Sequence, residues 1–264
     1  LLNLLRLTGR FPVCFRSRKL WPVLLAGLFE PVLYFPCEQY GLRLTSTSFS
    51  GVMVALIPLC SLVYGTIFLH EKATWRQVVF SVLSVAGVIV LAVYATGIGA
   101  GSFLGFLILL GTVFAGAGYM VACRACSGSF TAFERTYITC GMGAAAFGVL
   151  SVLEHRHDLS AVVLPMTHTP FALAIVFLSV VASVLSYLAL NRALEVLPVA
   201  RTAALINFST VVSVLAGVLL LHEPFGWVSA VASAAILVGI WGVQRFAAPA
   251  LPDADKRTEP LPPS

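Results

Sequence analysis

Eight long apolar stretches dominate this sequence and restrict what the chain can fold into. They lie at 21–43, 47–69, 75–95, 102–123, 133–153, 170–193, 201–221 and 226–246. Each is close to the length of about 20 apolar residues that a helix needs to cross the hydrocarbon core of a bilayer. Apolar side chains cover every face of these helices, which is typical of helices in lipid. The sequence therefore predicts an all-α polytopic membrane protein.

The low content of charged residues supports this fold class. Only 10% of the 264 residues are charged and 59% are hydrophobic, whereas roughly a quarter of the residues of a soluble domain are charged. A chain of this composition cannot cover an apolar core with side chains that water solvates. The composition excludes a soluble globular domain, a disordered protein and a disulfide-stabilised scaffold.

The basic residues are distributed unequally between the two ends of the predicted spans. Of the 16 Lys and Arg residues, only Arg43 and Arg156 lie on one face, and the others lie on the opposite face. Because basic residues accumulate in cytoplasmic loops, the basic face and the C-terminus are predicted to be cytoplasmic, in a multi-pass protein of the plasma or inner membrane. The proline-rich segment 247–264 is predicted to be a disordered cytoplasmic tail. The net charge of +5 thus needs no nucleic-acid partner.

The motif Leu-His-Glu occurs twice, and its two copies are separated by a constant offset. Residues 69–71 and 221–223 carry it, and the same offset pairs Trp75 with Trp227 and Gly87 with Gly239. Because an odd number of spans separates equivalent points, the second copy would cross the membrane in the opposite direction, as in many secondary transporters.

The predicted duplication divides the chain into two repeats. The first, 1–95, would contain three full spans, and the second, 102–246, would contain five. The counterparts of the spans at 102–123 and 133–153 would fall largely before residue 1. The complete fold is thus expected to be an inverted repeat of five plus five helices, with the first helix and most of the second absent from this chain.

Several short motifs carry a resemblance to a known family. They are Glu38-Gln39-Tyr40-Gly41-Leu42, Ala55-Leu56-Ile57-Pro58 and His70-Glu71, followed by Asn191-Arg192-Ala193-Leu194, Leu205-Ile206-Asn207 and His222-Glu223. In their order and spacing, over residues 1–246, the chain resembles the EamA family of the drug/metabolite transporter superfamily. The resemblance implies a ten-helix secondary transporter that exports small molecules along a central path. Because helices are expected to be absent, the alternative is a non-transporting membrane subunit or an inactive truncated remnant.

Glu30 is the most informative single residue, because it lies near the middle of the span at 21–43. An ionised carboxylate is costly at this depth unless it faces a cavity or a partner. At helical spacing Tyr34 and Glu38 lie on the same face as Glu30. We predict that Glu30 binds a cationic group of the substrate or a coupling proton. The alternative is a protonated glutamate that is hydrogen-bonded to a neighbouring helix, and for Glu38 the alternative is a side chain that reaches water at the end of the span.

Further polar side chains at membrane depth complete the predicted substrate site. They are Tyr64, Tyr119, Tyr187, Asn207 and Ser209, in addition to Glu30, Tyr34 and Glu38. The alternative for each is a hydrogen bond that packs two helices together. No Lys or Arg lies deep in a predicted span, which argues against a phosphorylated substrate. Amino acids, amines and amphipathic aromatic drugs fit an acidic, tyrosine-rich site better, and the substrate would move by alternating access.

The sequence contains no motif for nucleotide binding or covalent catalysis. A P-loop, a glycine-rich nucleotide turn and an H-E-x-x-H motif are all missing. The protein is therefore predicted not to be an enzyme and to use no cofactor. Cys123-x-x-Cys126 has no second cysteine pair, so no metal is predicted either. The expected partners are a small-molecule substrate and the lipid bilayer; a homodimer stays open.

Overall fold

The structure, a computed structural model, describes residues 2, 20–45, 47–96, 102–154, 167–209, 211–212, 215, 219 and 226–246. Within these ranges the chain forms helices and no strands, which confirms the predicted all-α class. Two features singled out in the sequence lie outside the described residues: the motif His222-Glu223 and the tail 247–264.

The helices follow the predicted spans closely. They are α1 (Trp21–Gly27), α2 (Tyr34–Leu44), α3 (Thr47–Val54), α4 (Ile57–Phe68), α5 (Trp75–Thr96), α6 (Phe103–Ala125), α7 (Ala132–Glu154), α8 (Thr169–Phe177), α9 (Ser186–Val196), α10 (Val199–Ile206) and α11 (Trp227–Phe246). A π-helical segment, Leu28–Leu33, joins α1 to α2, and a second, Leu178–Leu185, joins α8 to α9. Among the described helices, four are long and apolar enough to cross a membrane: Phe103–Ala125, Ala132–Glu154, Thr169–Val196 and Trp227–Phe246.

Proline residues interrupt two of the predicted spans. The span at 21–43 is broken in the π-helical segment, where Glu30 leaves helical geometry immediately before Pro31. The span at 47–69 is broken between α3 and α4, and Pro58 lies in the first turn of α4. Pro36, in contrast, does not break α2, because it occupies the first turn of that helix, where its missing N–H is tolerated. Interruptions at membrane depth free backbone groups, which can line a polar cavity.

The closest helix packing is between α5 and α11, where glycines allow the two backbones to touch. A Cβ atom on Gly87 would lie 2.8 Å from the carbonyl oxygen of Ala232 and 3.1 Å from the nitrogen of Ile236. A Cβ atom on Gly239 would lie 2.7 Å from the carbonyl oxygen of Phe80 and 2.6 Å from the nitrogen of Ser84. Small residues at such positions are the usual means of close helix association in membranes.

These two glycine contacts are equivalent residue by residue. The separation between Phe80 and Ala232 in the sequence equals that between Gly87 and Gly239. Gly87 contacts Ala232, and its equivalent Gly239 contacts Phe80, which is the equivalent of Ala232. Contacts exchanged in this way are the pattern of a two-fold axis. The bounds of α3 and α10 differ by the same sequence offset, Thr47–Val54 against Val199–Ile206.

The packing of α5 on α11 predicts a position-specific response to a single methyl group. Gly239→Ala should destabilise the protein by about 1–3 kcal/mol, because the methyl group would press on backbone atoms that cannot turn aside. Gly148→Ala in α7 is the matched control, since nothing lies within 4 Å of its Cβ position. Thermal unfolding in detergent should show a lower midpoint for Gly239→Ala only. Equal midpoints would show that α5 and α11 do not pack in this way.

Candidate functional site

A cavity of about 810 Å³ lies at the centre of the bundle, beside the helix breaks. This volume is within the range of sites that hold small organic molecules. Its polar side chains are Glu30, Tyr34, Glu38, Gln39, Ser50, Tyr119, Asn207 and Ser209, and its apolar lining includes Val54, Ile57, Leu91 and Leu190. Among the described residues that line it there are two glutamates and no lysine or arginine.

Glu30 is presented to the cavity by the break between α1 and α2. Its backbone dihedrals (φ −143°, ψ 119°) are extended within an otherwise helical segment, and Pro31 follows it. The Tyr187 hydroxyl on α9 donates a hydrogen bond of 2.6 Å to Glu30 Oε1. The carboxyl group thus lines the cavity and is also hydrogen-bonded to a neighbouring helix.

The second carboxylate of the cavity, Glu38, lies on α2, one helical turn beyond Tyr34. The Tyr34 hydroxyl donates to Glu38 Oε1 at 3.3 Å, across one turn of the helix. Both residues line the cavity, as does Gln39. Glu30, Tyr34 and Glu38 thus line the same cavity, although the helix is interrupted at Glu30.

Two tyrosines, Tyr119 and Tyr187, pack against each other beside the cavity. The rings of Tyr119 on α6 and Tyr187 on α9 meet edge to face, with centroids 5.9 Å apart. Tyr119 is fully buried and lines the cavity. Tyr187 lines a second space of about 430 Å³ instead, together with Pro31, Thr139 and Ser183. Tyr187 is therefore not among the lining residues of the central cavity, but it is hydrogen-bonded to Glu30, which lines it.

The remaining predicted site residues have different locations. Asn207 and Ser209 line the cavity where α10 ends. Asn207 Nδ2 donates to Ser84 Oγ at 3.0 Å, so its amide also ties α10 to α5. Tyr64 is not among the described lining residues: its ring stacks on Phe114 at 6.3 Å and packs against the apolar core. Six of the eight predicted site residues thus line the cavity, Tyr187 contacts it only through Glu30, and Tyr64 lies elsewhere.

A buried polar network next to the cavity was missed by the sequence reasoning. Asn191 is fully buried, and its Nδ2 atom donates to Tyr119 Oη and to Thr136 Oγ1, at 3.1 Å each. The Arg135 guanidinium, also fully buried, donates to the carbonyl oxygens of Cys123 at 2.6 Å and Asn191 at 2.7 Å, and to Glu195 Oε1 at 2.9 Å. In the sequence, Arg135 is one of the basic residues that predict the orientation of the helices.

The signal that could have revealed this network is a helical spacing on α9. Tyr187, Asn191 and Glu195 follow one another at intervals of four residues, so they lie on one face of the helix. All three are polar, as are Ser186 and Arg192, whereas the other residues of α9 are apolar. One face of α9 thus links the cavity carboxylate Glu30 to Arg135.

The network ends at what we call the basic end of the bundle, where the connections α4–α5, α6–α7 and α9–α10 lie. Glu71, in the first of these connections, accepts a 2.9 Å hydrogen bond from the backbone nitrogen of Val199 at the start of α10. Arg124, at the end of α6, donates to the carbonyl oxygens of Leu194 and Glu195 at 2.9 and 2.7 Å. Glu71 Oε1 and Arg124 Nε are 3.5 Å apart.

The Glu71 carboxyl group is subject to opposing influences. Burial raises its pKa, and the hydrogen bond from Val199 and the charge of Arg124 lower it, with burial dominant.

In the part of the chain that the structure describes, no group of three or more His, Cys, Asp or Glu residues is arranged to hold a metal ion.

The fold and the cavity define a polytopic helical membrane protein with a polar chamber between sets of broken helices, which is an arrangement typical of membrane transporters. Comparison with known families agrees: the chain belongs to the EamA-like transporter family, which matches residues 1–93 and 103–245. This confirms the resemblance found in the sequence.

Individual relatives support the same class. A Bacillus subtilis (strain 168) protein named "Uncharacterized transporter YcxC" is 30% identical over 239 residues, 89% of this chain and 77% of that protein. An "Uncharacterized transporter" of Archaeoglobus fulgidus is 26% identical over 226 residues, 84% of this chain and 77% of that one. A crystal structure with 18% identity superposes with a TM-score of 0.78, covering 93% of this chain and 84% of the other, and shows the same fold.

The buried network predicts a large difference between two arginines that share one partner. Arg135→Leu should destabilise the protein by about 3–5 kcal/mol, because Glu195 and two buried carbonyl groups lose their partner. Arg192→Leu should cost no more than about 1 kcal/mol, because Arg192 is 73% exposed although it also pairs with Glu195. Thermal unfolding of both variants in the same detergent tests this. A similar loss in both would refute the proposed importance of burial.

Proposed function

We propose that this protein is a secondary-active transporter that exports small amines, amino acids or amphipathic aromatic compounds by alternating access. The observation that carries the proposal is the central cavity, whose described lining includes two glutamates and two tyrosines but no basic residue. Such a lining offers carboxylate oxygens to a cationic group and ring faces to an aromatic or apolar one. The protein would act as a transporter and not as an enzyme.

The proposed orientation follows from the basic residues. Arg124, Arg192 and Arg245 lie at the basic end, and excess positive charge marks the cytoplasmic side. The basic end, with the C-terminus, would thus be cytoplasmic in a plasma or inner membrane. The cavity residues Leu42 and Ser50 lie toward the other end, at the junction of α2 and α3. The structure would then represent a state closed to the cytoplasm.

We also propose that the two halves are an inverted repeat, 1–95 and 102–246. The reciprocal contacts of Gly87 and Gly239 support a two-fold axis between α5 and α11. The two stretches matched by the family, 1–93 and 103–245, lie close to these bounds. Rocking of one half against the other about this contact would expose the cavity to each side in turn.

Glu30 is proposed as the residue that couples substrate to protons. Its carboxyl group lies between the cavity and the Tyr187 hydroxyl, so a cationic substrate and a proton would compete for the same oxygen atoms. An ionised carboxylate is costly at membrane depth without a counter-charge, which favours protonation when the substrate has left. Substrate and proton would thus move in exchange.

Three compounds with one aromatic ring test the substrate class. Phenethylamine carries an amine, phenylalanine an amine and a carboxylate, and phenylacetate a carboxylate alone. Uptake into proteoliposomes should decrease in that order, because the cavity supplies carboxylates and no described cation. Preference for phenylacetate would contradict the proposal.

Glu30→Gln should reduce phenethylamine transport about ten-fold or more, through loss of a charged hydrogen bond. Glu154→Gln, in an exposed residue at the end of α7, is the matched control.

A pH gradient tests the coupling role separately. Wild-type proteoliposomes should accumulate phenethylamine faster with an imposed proton gradient, because protonation of Glu30 would drive release of the cation. Glu30→Gln should retain only exchange that is insensitive to the gradient, since its amide cannot take up the proton. Unchanged gradient dependence in Glu30→Gln would exclude Glu30 as the proton site.

A further inference from the structure

We propose that Glu71 and Arg124 form a latch that holds the basic end of the bundle closed, and that release of this latch opens the cavity to that end. The inference rests on the proposed transport function, because only a transporter needs to open there. The latch consists of the ion pair between these two side chains and of their bonds to the corner between α9 and α10.

The electrostatics of the helix ends explain why this corner needs two opposite charges. The last carbonyl groups of α9 lack partners within the helix and form its negative end, and Arg124 donates to two of them. The first N–H groups of α10 form a positive end, and Glu71 accepts from Val199 there. Each side chain thus neutralises one helix terminus, and the pair is completed across the corner at 3.5 Å.

The latch residues come from different parts of the chain. Glu71 belongs to the connection after α4. Its backbone nitrogen donates to the Gly65 carbonyl oxygen at 3.1 Å. A Cβ atom on Gly65 would lie 3.2 Å from Glu71 Oε2 and 3.6 Å from Val199 Cβ, so α4 packs closely on the start of α10. Separating α4 from α10, as opening at this end requires, breaks the bond between Glu71 and Val199.

Between the latch and the cavity the structure is tightly packed. The fully or nearly fully buried side chains of Tyr119, Met120, Cys123, Leu194 and Val199 form one apolar cluster there. Ser61 is fully buried in the same region, with its Oγ atom 3.4 Å from Met120 Sδ. Apolar packing alone would resist opening at every stage of a cycle. A polar contact at the edge of this packed region can be exchanged for hydrogen bonds to water, and the latch side chains are 16% and 15% exposed.

Cysteine labelling of a buried reporter tests the latch. The reporter is Ser61→Cys in a protein whose six native cysteines are replaced by alanine. In lipid nanodiscs without substrate, a water-soluble maleimide should label it slowly. Glu71→Gln and Arg124→Gln should each raise the rate about ten-fold, because a charge-assisted hydrogen bond is lost. Arg192→Gln removes the same charge at the same end outside the latch, and should leave the rate unchanged.

A second reporter separates opening of the latch from unfolding. This reporter is Ala232→Cys, at a position that is nearly fully buried between α5 and α11. Its labelling should stay slow in every latch variant. Arg124→Lys keeps the charge but not the planar fork of donors, so its rate at Ser61→Cys should be intermediate. The latch is overturned if Glu71→Gln and Arg124→Gln label at the wild-type rate, if Arg192→Gln labels as fast as they do, or if both reporters respond equally.

The labelling result is independent of the transport result. Selective labelling in the latch variants of a protein that moves none of the three aromatic compounds would support the latch and contradict the proposed substrate class. If the protein transports phenethylamine but the latch variants label at the wild-type rate, the proposed function is supported and the latch is overturned.

Discussion

The hydrocarbon core of a bilayer offers no hydrogen-bond partner, and this constraint governs the whole structure. Every polar group at membrane depth must find its partner within the bundle. The bond between Glu30 and Tyr187 is the clearest consequence, because it satisfies a carboxyl group in the middle of the protein with a hydroxyl from a distant helix. The hydrogen bonds of the buried Arg135 meet the same requirement.

Some polar groups of this protein hold helices in one arrangement, and others can exchange their partners. Arg135 is fully buried and has several partners, so it is expected to keep one arrangement. Arg124 and Glu71 retain some exposure and bind helix ends, so water can replace their partners when the corner opens. Because α9 carries Tyr187, Asn191 and Glu195 on one face, the rigid and the releasable contacts meet on one helix. Movement of α9 would therefore affect both ends of the network.

The proposed repeat illustrates how far a pattern of residues can predict packing. Gly87 and Gly239 are equivalent by their spacing from the two Leu-His-Glu motifs, and in the structure they make equivalent contacts between α5 and α11. Glycines at matched positions indicate close backbone approach in both copies. The spacing alone did not reveal that the two glycines lie on one shared interface, since this depends on the way the halves face each other.

The sequence by itself determined the fold class, the positions of the helices and the family, because apolar length and local motifs are properties of contiguous residues. It also identified Glu30, whose cost in a membrane depends only on its place in a span. The tertiary structure decided which polar groups meet. It placed Tyr64 against Phe114 instead of at the cavity, and joined Arg135 to Asn191 and Glu195 in a buried network. These pairings join residues far apart in the chain, so no local pattern encodes them.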